Sequence, residues 1–170
     1  MRFVISSLFL LPIVCWAQNQ ITNNFLGSTP GQRHIINQIQ AQRAISVAAS
    51  KAASISVAEN IAIVDPSGSL VAFLKMDNAF PASFDIATKK AKTVAGFNGA
   101  FTSAALYNSS QPGGPFYGIE ETNGGLVVFG GGLPIFVDGF FIGAIGVSGG
   151  SSDQDVTVAT AGVNAISSGV

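Results

Sequence analysis

Two periodicities organise the chain. Ala41, Ala44, Ile45, Ala48, Ala52 and Ile55 recur every three or four residues, the spacing of one helical face. Thr29-Pro30 upstream supplies a cap residue and a proline suited to a first turn, so the pattern predicts a helix from there to about Val57. The stripe is rich in alanine, which lets such a helix lie close to its neighbour. Asn60 to Asp65 and Leu70 to Met76 are short apolar runs separated by Pro66-Ser67-Gly68, which predicts a β-hairpin. Ser83 is then the expected cap of a second helix with Phe84, Ala87, Ala91 and Val94 on one face, and Asp85 and Lys89 are spaced for an ion pair. Gly96 and Gly99 mark its end. Thr102 to Tyr107 is expected to form a short helical turn, and residues 108–118 a loop around Gln111-Pro112-Gly113-Gly114-Pro115.

The apolar, glycine-rich stretch from Gly124 to Gly150 reads as three strands, Leu126 to Phe129, Pro134 to Val137 and Phe140 to Val147, with Asp138-Gly139 turning between the last two. Pro134, Asp138 and the Gly130-Gly131-Gly132 run argue against a membrane span. Residues from Ser151 onward predict a last helix, with Asp153 and Asp155 favourable in its first turn and Val156, Ala159, Val163 and Ile166 as its inward stripe. The expected order is helix, hairpin, helix, three strands, helix. It gives an α+β domain with a roughly five-stranded, mostly antiparallel sheet.

The amino terminus follows neither period. Arg2, an apolar run from Val4 to Val14 and the small residues around Cys15-Trp16-Ala17 form the three-part pattern of a secretory signal cleaved after Ala17. The run is shorter than the about 20 residues that span a bilayer. Residues 18–28 are polar and aperiodic and read as a flexible segment, which leaves 29–170 as one domain. Loss of Arg2 leaves seven basic residues against nine acidic ones, and loss of Cys15 leaves no cysteine. That balance argues against a nucleic-acid partner and excludes disulfide or thiol chemistry in the exported chain. Asn108-Ser109-Ser110 is an N-glycosylation sequon. Only 10% of the residues are charged and 48% are hydrophobic, so apolar surface is expected between subunits of a homo-oligomer.

Several segments also carry a family resemblance. These are Lys75-Met76-Asp77-Asn78-Ala79, then Phe84 to Thr93, Pro112-Gly113 and Tyr117-Gly118-Ile119. Gly130-Gly131-Gly132-Leu133-Pro134 and Ile142 to Gly150 follow in the same order. In order and spacing they resemble the GlcG/HbpS-like family, the haem-degrading domain also found at the carboxy terminus of PduO-type proteins, over roughly residues 35–168. The resemblance implies a profilin-like three-layer α/β/α fold, a tendency to oligomerise, and binding of haem or another tetrapyrrole, sometimes with haem breakdown in the presence of an oxidant. Lys90 and Thr93 match the family's Lys-Ala-x-Thr pattern.

Ile86, Lys90, Thr93 and Phe97 share a stripe, so Lys90, Thr93 and Phe97, with Tyr117, are candidates for the wall of a pocket holding a flat hydrophobic ligand. Lys90 has two readings: a partner for a ligand carboxylate, or a stem snorkelling along the core. Thr93 contacts ligand or bonds back to its helix. His34 is the single histidine and so the candidate iron ligand, with Met76 and Tyr117 as the other conceivable ones. Glu120 and Glu121, read as extended, face opposite ways and make a poor dyad, though Glu120 alone remains a candidate base. Ser148 formally completes Gly-x-Ser-x-Gly, but one distant histidine makes a poor hydrolase triad. The triple glycine lacks the ending of a phosphate loop and reads as a bulge or close backbone approach. No cluster suits zinc or calcium. Three functions stay open: a secreted haem or tetrapyrrole binder, a cofactor-independent isomerase or cyclase using Lys90, Glu120 or His34 as acid or base, and a non-catalytic oligomeric interaction protein.

Overall fold

The computed structural model describes residues 33–167. The expected signal, the flexible segment and the Thr29-Pro30 helix start lie outside them. Helix α1 spans Gln38–Ser54 and begins with a capping box: the Asn37 side chain accepts from the Gln40 N–H, and Gln40 reaches back to the Asn37 N–H. Residues 33–37 are not helical, against the expected earlier start. Instead Ile36 donates its N–H to the carbonyl of Ile142, tying the entry of the helix to the sheet.

Strands β1 (Asn60–Val64) and β2 (Leu70–Lys75) form the predicted hairpin. Strands β3 (Gly132–Val137) and β4 (Phe140–Ser148) form the second, turning at Asp138 and Gly139, both with positive φ. The four strands make one antiparallel sheet in the order β2-β1-β4-β3. The expected fifth strand is absent: Leu126–Phe129 joins no ladder, and the Val127 N–H is satisfied by the Thr93 hydroxyl at 3.0 Å. A side chain on a helix thus takes the place of a neighbouring strand.

Helix α2 (Pro81–Gly96) starts two residues before the expected cap. Proline at its first position suits an unsatisfied N–H. Ser83 is buried inside the helix, donating to the Phe80 carbonyl and accepting from Asn60 Nδ2, both at 2.7 Å. The predicted Asp85–Lys89 pair forms at 2.8 Å. Phe84 does not join Ala87, Ala91 and Val94 in the core; it is half-exposed and packs its ring on Phe73. A 3-10 turn at Ser103–Leu106, capped by Thr102, leads into the short helix α3 (Tyr107–Ser110). The last helix, α4, runs Ser152–Ser167. Its buried stripe is Asp155, Val158, Ala159, Gly162 and Ile166, so the expected Val156 and Val163 sit at its margins.

Helices α1 and α4 pack on one face of the sheet and α2 on the other, the three-layer order that the resemblance implied. The larger core joins Ala41, Ala44, Ala48 and Ala52 of α1 to Ile61, Ile63, Ile135, Ile145 and Val147 of the sheet and to Val158 and Ala159 of α4. The smaller joins Ala91, Val94 and Ala95 of α2 to Val64, Phe141 and Ala144. The alanines of α1 permit close approach: a Cβ on Gly162 of α4 would stand 3.3 Å from that of Ala48. No helix among the described residues is long and apolar enough to cross a membrane.

Ala48→Leu is therefore expected to destabilise the fold by about 1–3 kcal/mol through overpacking, measured by chemical denaturation. Substitution at exposed Gln42 should change stability by less than about 0.5 kcal/mol.

Candidate functional site

Lys90 sits on the sheet-facing side of α2 and is fully buried. Its Nζ donates to the Val147 carbonyl at 2.9 Å and to Asp155 Oδ2 at 2.5 Å, and lies 4.7 Å from the centroid of the Phe129 ring. Neither sequence reading of this lysine holds. The ammonium neither snorkels to water nor waits for a ligand carboxylate, because Asp155 already supplies one. Asp155 belongs to the first turn of α4, where its Oδ1 also accepts from the Gly150 N–H at 3.0 Å. The backbone makes room for the pair. Gly131 has φ +119°, and a Cβ there would stand 2.8 Å from Lys90 Nζ and 2.9 Å from the Asp155 Cβ. This is the close approach that the glycine run suggested.

A third ionisable group completes the cluster. Glu59, just ahead of β1, is fully buried, and neither carboxylate oxygen has a hydrogen-bond partner when both acids are ionised. Burial, and then the Asp155 carboxylate within hydrogen-bonding reach, push its pKa up to about 7. A proton on Glu59 lets it donate to Asp155 and leaves one ammonium against one carboxylate, a neutral cluster. Burial also raises Asp155 and lowers Lys90, and in each case the mutual contact opposes the shift.

Three cavities bear on the candidate residues, and one of them reaches the cluster. One of about 300 Å³ lies between the start of α2 and the β4–α4 turn, lined by Phe80, Ile86, Phe129, Ser148, Gly149 and Asp155 among others. A second, about 630 Å³, lies between the later part of α2, the β1–β2 turn and residues 123–126, with Lys89, Lys92 and Phe97 in its wall. A third, about 140 Å³, holds Arg33 and His34 against the other side of Pro66 and Ser67.

The sequence-derived candidates therefore scatter. Lys90, Thr93, Phe97 and Tyr117 do not line one pocket. Thr93 is buried and bonds back to the Lys89 carbonyl, while accepting from Val127. Tyr117 is exposed in a loop, and Phe97 lines the cavity of about 630 Å³. His34 is exposed, its ring centroid 4.1 Å from that of Phe140. Met76 packs at the edge of the larger core. Glu120 and Glu121 lie in a 3-10 turn, Ile119–Glu121, rather than in extended chain. Ser148 and His34 border different cavities, so they form no hydrolase pair. Asn108 is exposed on α3. No group of three metal-ligating side chains occurs among the described residues. Sequence reasoning missed Glu59 altogether and gave Asp155 only a helix-end role. The available signal was an acid at an inward position of the last helix, matched by a lysine on the inward stripe of α2.

One antiparallel sheet between two helical layers, with cavities along the helix that covers one face, defines a small three-layer α+β domain. The family model described as haem degrading protein HbpS-like matches residues 36–164, and the chain belongs to that family. The Klebsiella pneumoniae protein ORFY superposes with a TM-score of 0.78 and 33% identity, covering 82% of this chain and 95% of ORFY. The PduOC–haem complex superposes with a TM-score of 0.73 and 32% identity over 78% of this chain and 95% of that one. The corrinoid adenosyltransferase PduO of Salmonella typhimurium is 36% identical over 123 residues, which are 72% of this chain but 36% of PduO.

The folded protein holds the Glu59 proton more tightly than the unfolded chain, so this group's contribution to stability falls as pH rises from about 4.5 to about 7 and is level above. Glu59→Gln should remove that slope and raise the melting temperature at pH 8, read by calorimetry against the unsubstituted protein across pH 4–9. Lys90→Met leaves Asp155 buried without its cation and should cost about 3–5 kcal/mol, read in the same experiments.

Proposed function

We propose that this protein binds haem or a related tetrapyrrole in the cavity of about 630 Å³ beside α2. The observation that carries the reading is family membership together with 32% identity to a domain solved with haem. The cavity is of the size that takes cofactor-sized ligands, about 300–1,000 Å³. Phe97 gives it an aromatic wall. Lys92, and Lys89 where it turns from Asp85, would meet propionates.

The walls fit the macrocycle better than its iron. Among the described residues no histidine, methionine, cysteine or tyrosine lines the cavity, and His34 stands across the Pro66-Ser67 turn that borders both cavities. Bound haem would supply a redox-active iron. The contribution of this chain is a mixed wall, in which Pro66, Ala95, Phe97 and Leu126 stand among polar residues, with Lys89 and Lys92 beside Asp85.

Export and assembly belong to the same proposal. The signal-like residues 1–17 and the exposed sequon at Asn108 support secretion and glycosylation. Exposed Ile35, Ile39, Phe80, Phe101 and Phe116 support burial of apolar surface between copies. Oxidative breakdown of bound haem would show as loss of Soret absorbance on adding peroxide.

Haemin titration should give a Soret shift that saturates at one haem per chain. Lys92→Glu should weaken binding about tenfold, the equivalent of one charge-assisted contact, and His34→Ala should leave the spectrum unchanged. Loss of the shift in His34→Ala would move the site to the Arg33–His34 side of the turn, and no shift in any variant would overturn the proposal.

A further inference from the structure

We propose that the cleft of about 300 Å³ between the start of α2 and the β4–α4 turn is a proton-transfer site for small uncharged carbonyl compounds, with Asp155 as its base. In this assignment Lys90 and Glu59 are positioning residues that act through Asp155. The proposal is independent of the tetrapyrrole reading, because the two cavities share no lining residue.

The cluster holds more than a structural tie requires. Lys90 and Asp155 alone would fasten α2 to α4. Glu59 adds a second buried carboxylate with no partner in its ionised form, a costly group to keep. It is also the group that lets Asp155 gain or lose electrostatic company by one proton. The groups facing it are Asp155 from α4, Lys90 from α2 and the Gly150 N–H from the β4–α4 turn. Gly149 lines the cleft and touches Glu59, since a Cβ there would stand 2.6 Å from Oε2.

The cleft selects its occupant. Phe80, Ala82, Ile86 and Phe129 give an apolar wall, and Asp155 and Ser148 stand in the polar one. The Asp155 carboxylate in the wall disfavours a carboxylate ligand, and with Glu59 protonated the Lys90–Asp155 pair leaves no net charge to hold an ammonium. Among the described residues the Ser148 hydroxyl has no hydrogen-bond partner, so it is free to donate to a ligand carbonyl. Asp155 has two bonds fixed, to Lys90 and Gly150, and an ionised carboxylate retains further lone pairs.

The step is a proton shift without oxidant. An Asp155 oxygen takes the proton from the carbon next to the carbonyl. The C–H electron pair becomes the new C=C bond, and the carbonyl π pair moves to oxygen, where Ser148 donates a hydrogen bond. Return of a proton to the same carbon gives exchange with solvent; return to a conjugated carbon gives an isomer. Either restores Asp155. Loss of the Glu59 proton makes Asp155 a stronger base, so the rate should rise with pH through about 7.

The test is deuterium incorporation at the benzylic carbon of phenylacetone in D₂O, followed by proton NMR with the full chain. Exchange should exceed the buffer rate and rise through about pH 7, and Glu59→Gln should flatten that rise. Asp155→Asn should slow exchange about 100-fold or more, as expected for loss of a general base. Ala82→Trp, at an exposed position on the rim, leaves the cluster untouched. It should abolish exchange without altering the melting temperature, which keeps the test valid if Asp155→Asn fails to fold. Exchange no faster than buffer, or full exchange in a folded Asp155→Asn or in Ala82→Trp, would overturn the proposal.

Discussion

The ion pair between Lys90 and Asp155 constrains everything packed around it. Both side chains are removed from water, and a buried charge is tolerated only when paired and hydrogen-bonded. Lys90 reaches from the helix on one face of the sheet, past β4, to the first turn of the helix on the other. The Val147 carbonyl, the Phe129 ring and the Gly150 N–H complete the shell. The glycine at 131 is required because any side chain would occupy the space of the pair. One interaction therefore fixes the register of α2 against β4, the path of residues 129–132 and the start of α4.

Glu59 gives this anchor a second property. A lysine with one acid is a neutral tie, whereas a lysine with two acids carries a titratable surplus proton. Its affinity is set near neutrality by desolvation and by the neighbouring carboxylate. The cluster is thus a closely packed part of the interior that responds to ordinary changes of pH.

Helix α2 is the common wall of two cavities. Its first turns border the small cleft beside Asp155, and its later turns border the larger one. The two proposals divide these spaces, a tetrapyrrole in the larger and a small carbonyl compound in the other. The membership covers the domain as a whole, whereas the adenosyltransferase name of PduO belongs to a protein of which this chain matches about a third. Fold similarity alone therefore carries no such activity here.

The sequence by itself determined the order of the main helices and the two hairpins and the Asp85–Lys89 pair, because these follow from local periodicity and turn chemistry; the three-layer arrangement came from the family resemblance that its motifs carry. Its motifs also sufficed for the family. Boundaries shifted where a local bond outweighed the pattern: the Asn37–Gln40 box set the start of α1, and the Thr93 hydroxyl replaced a ladder at Val127. The site was decided only in three dimensions. Lys90 was visible as a lysine on an apolar stripe, but its partner lies 65 residues away. Glu59, one residue ahead of a strand, drew no reading at all. Nothing in a linear pattern reports which acid a buried cation will meet, since that depends on how the helical layers close over the sheet and exclude water.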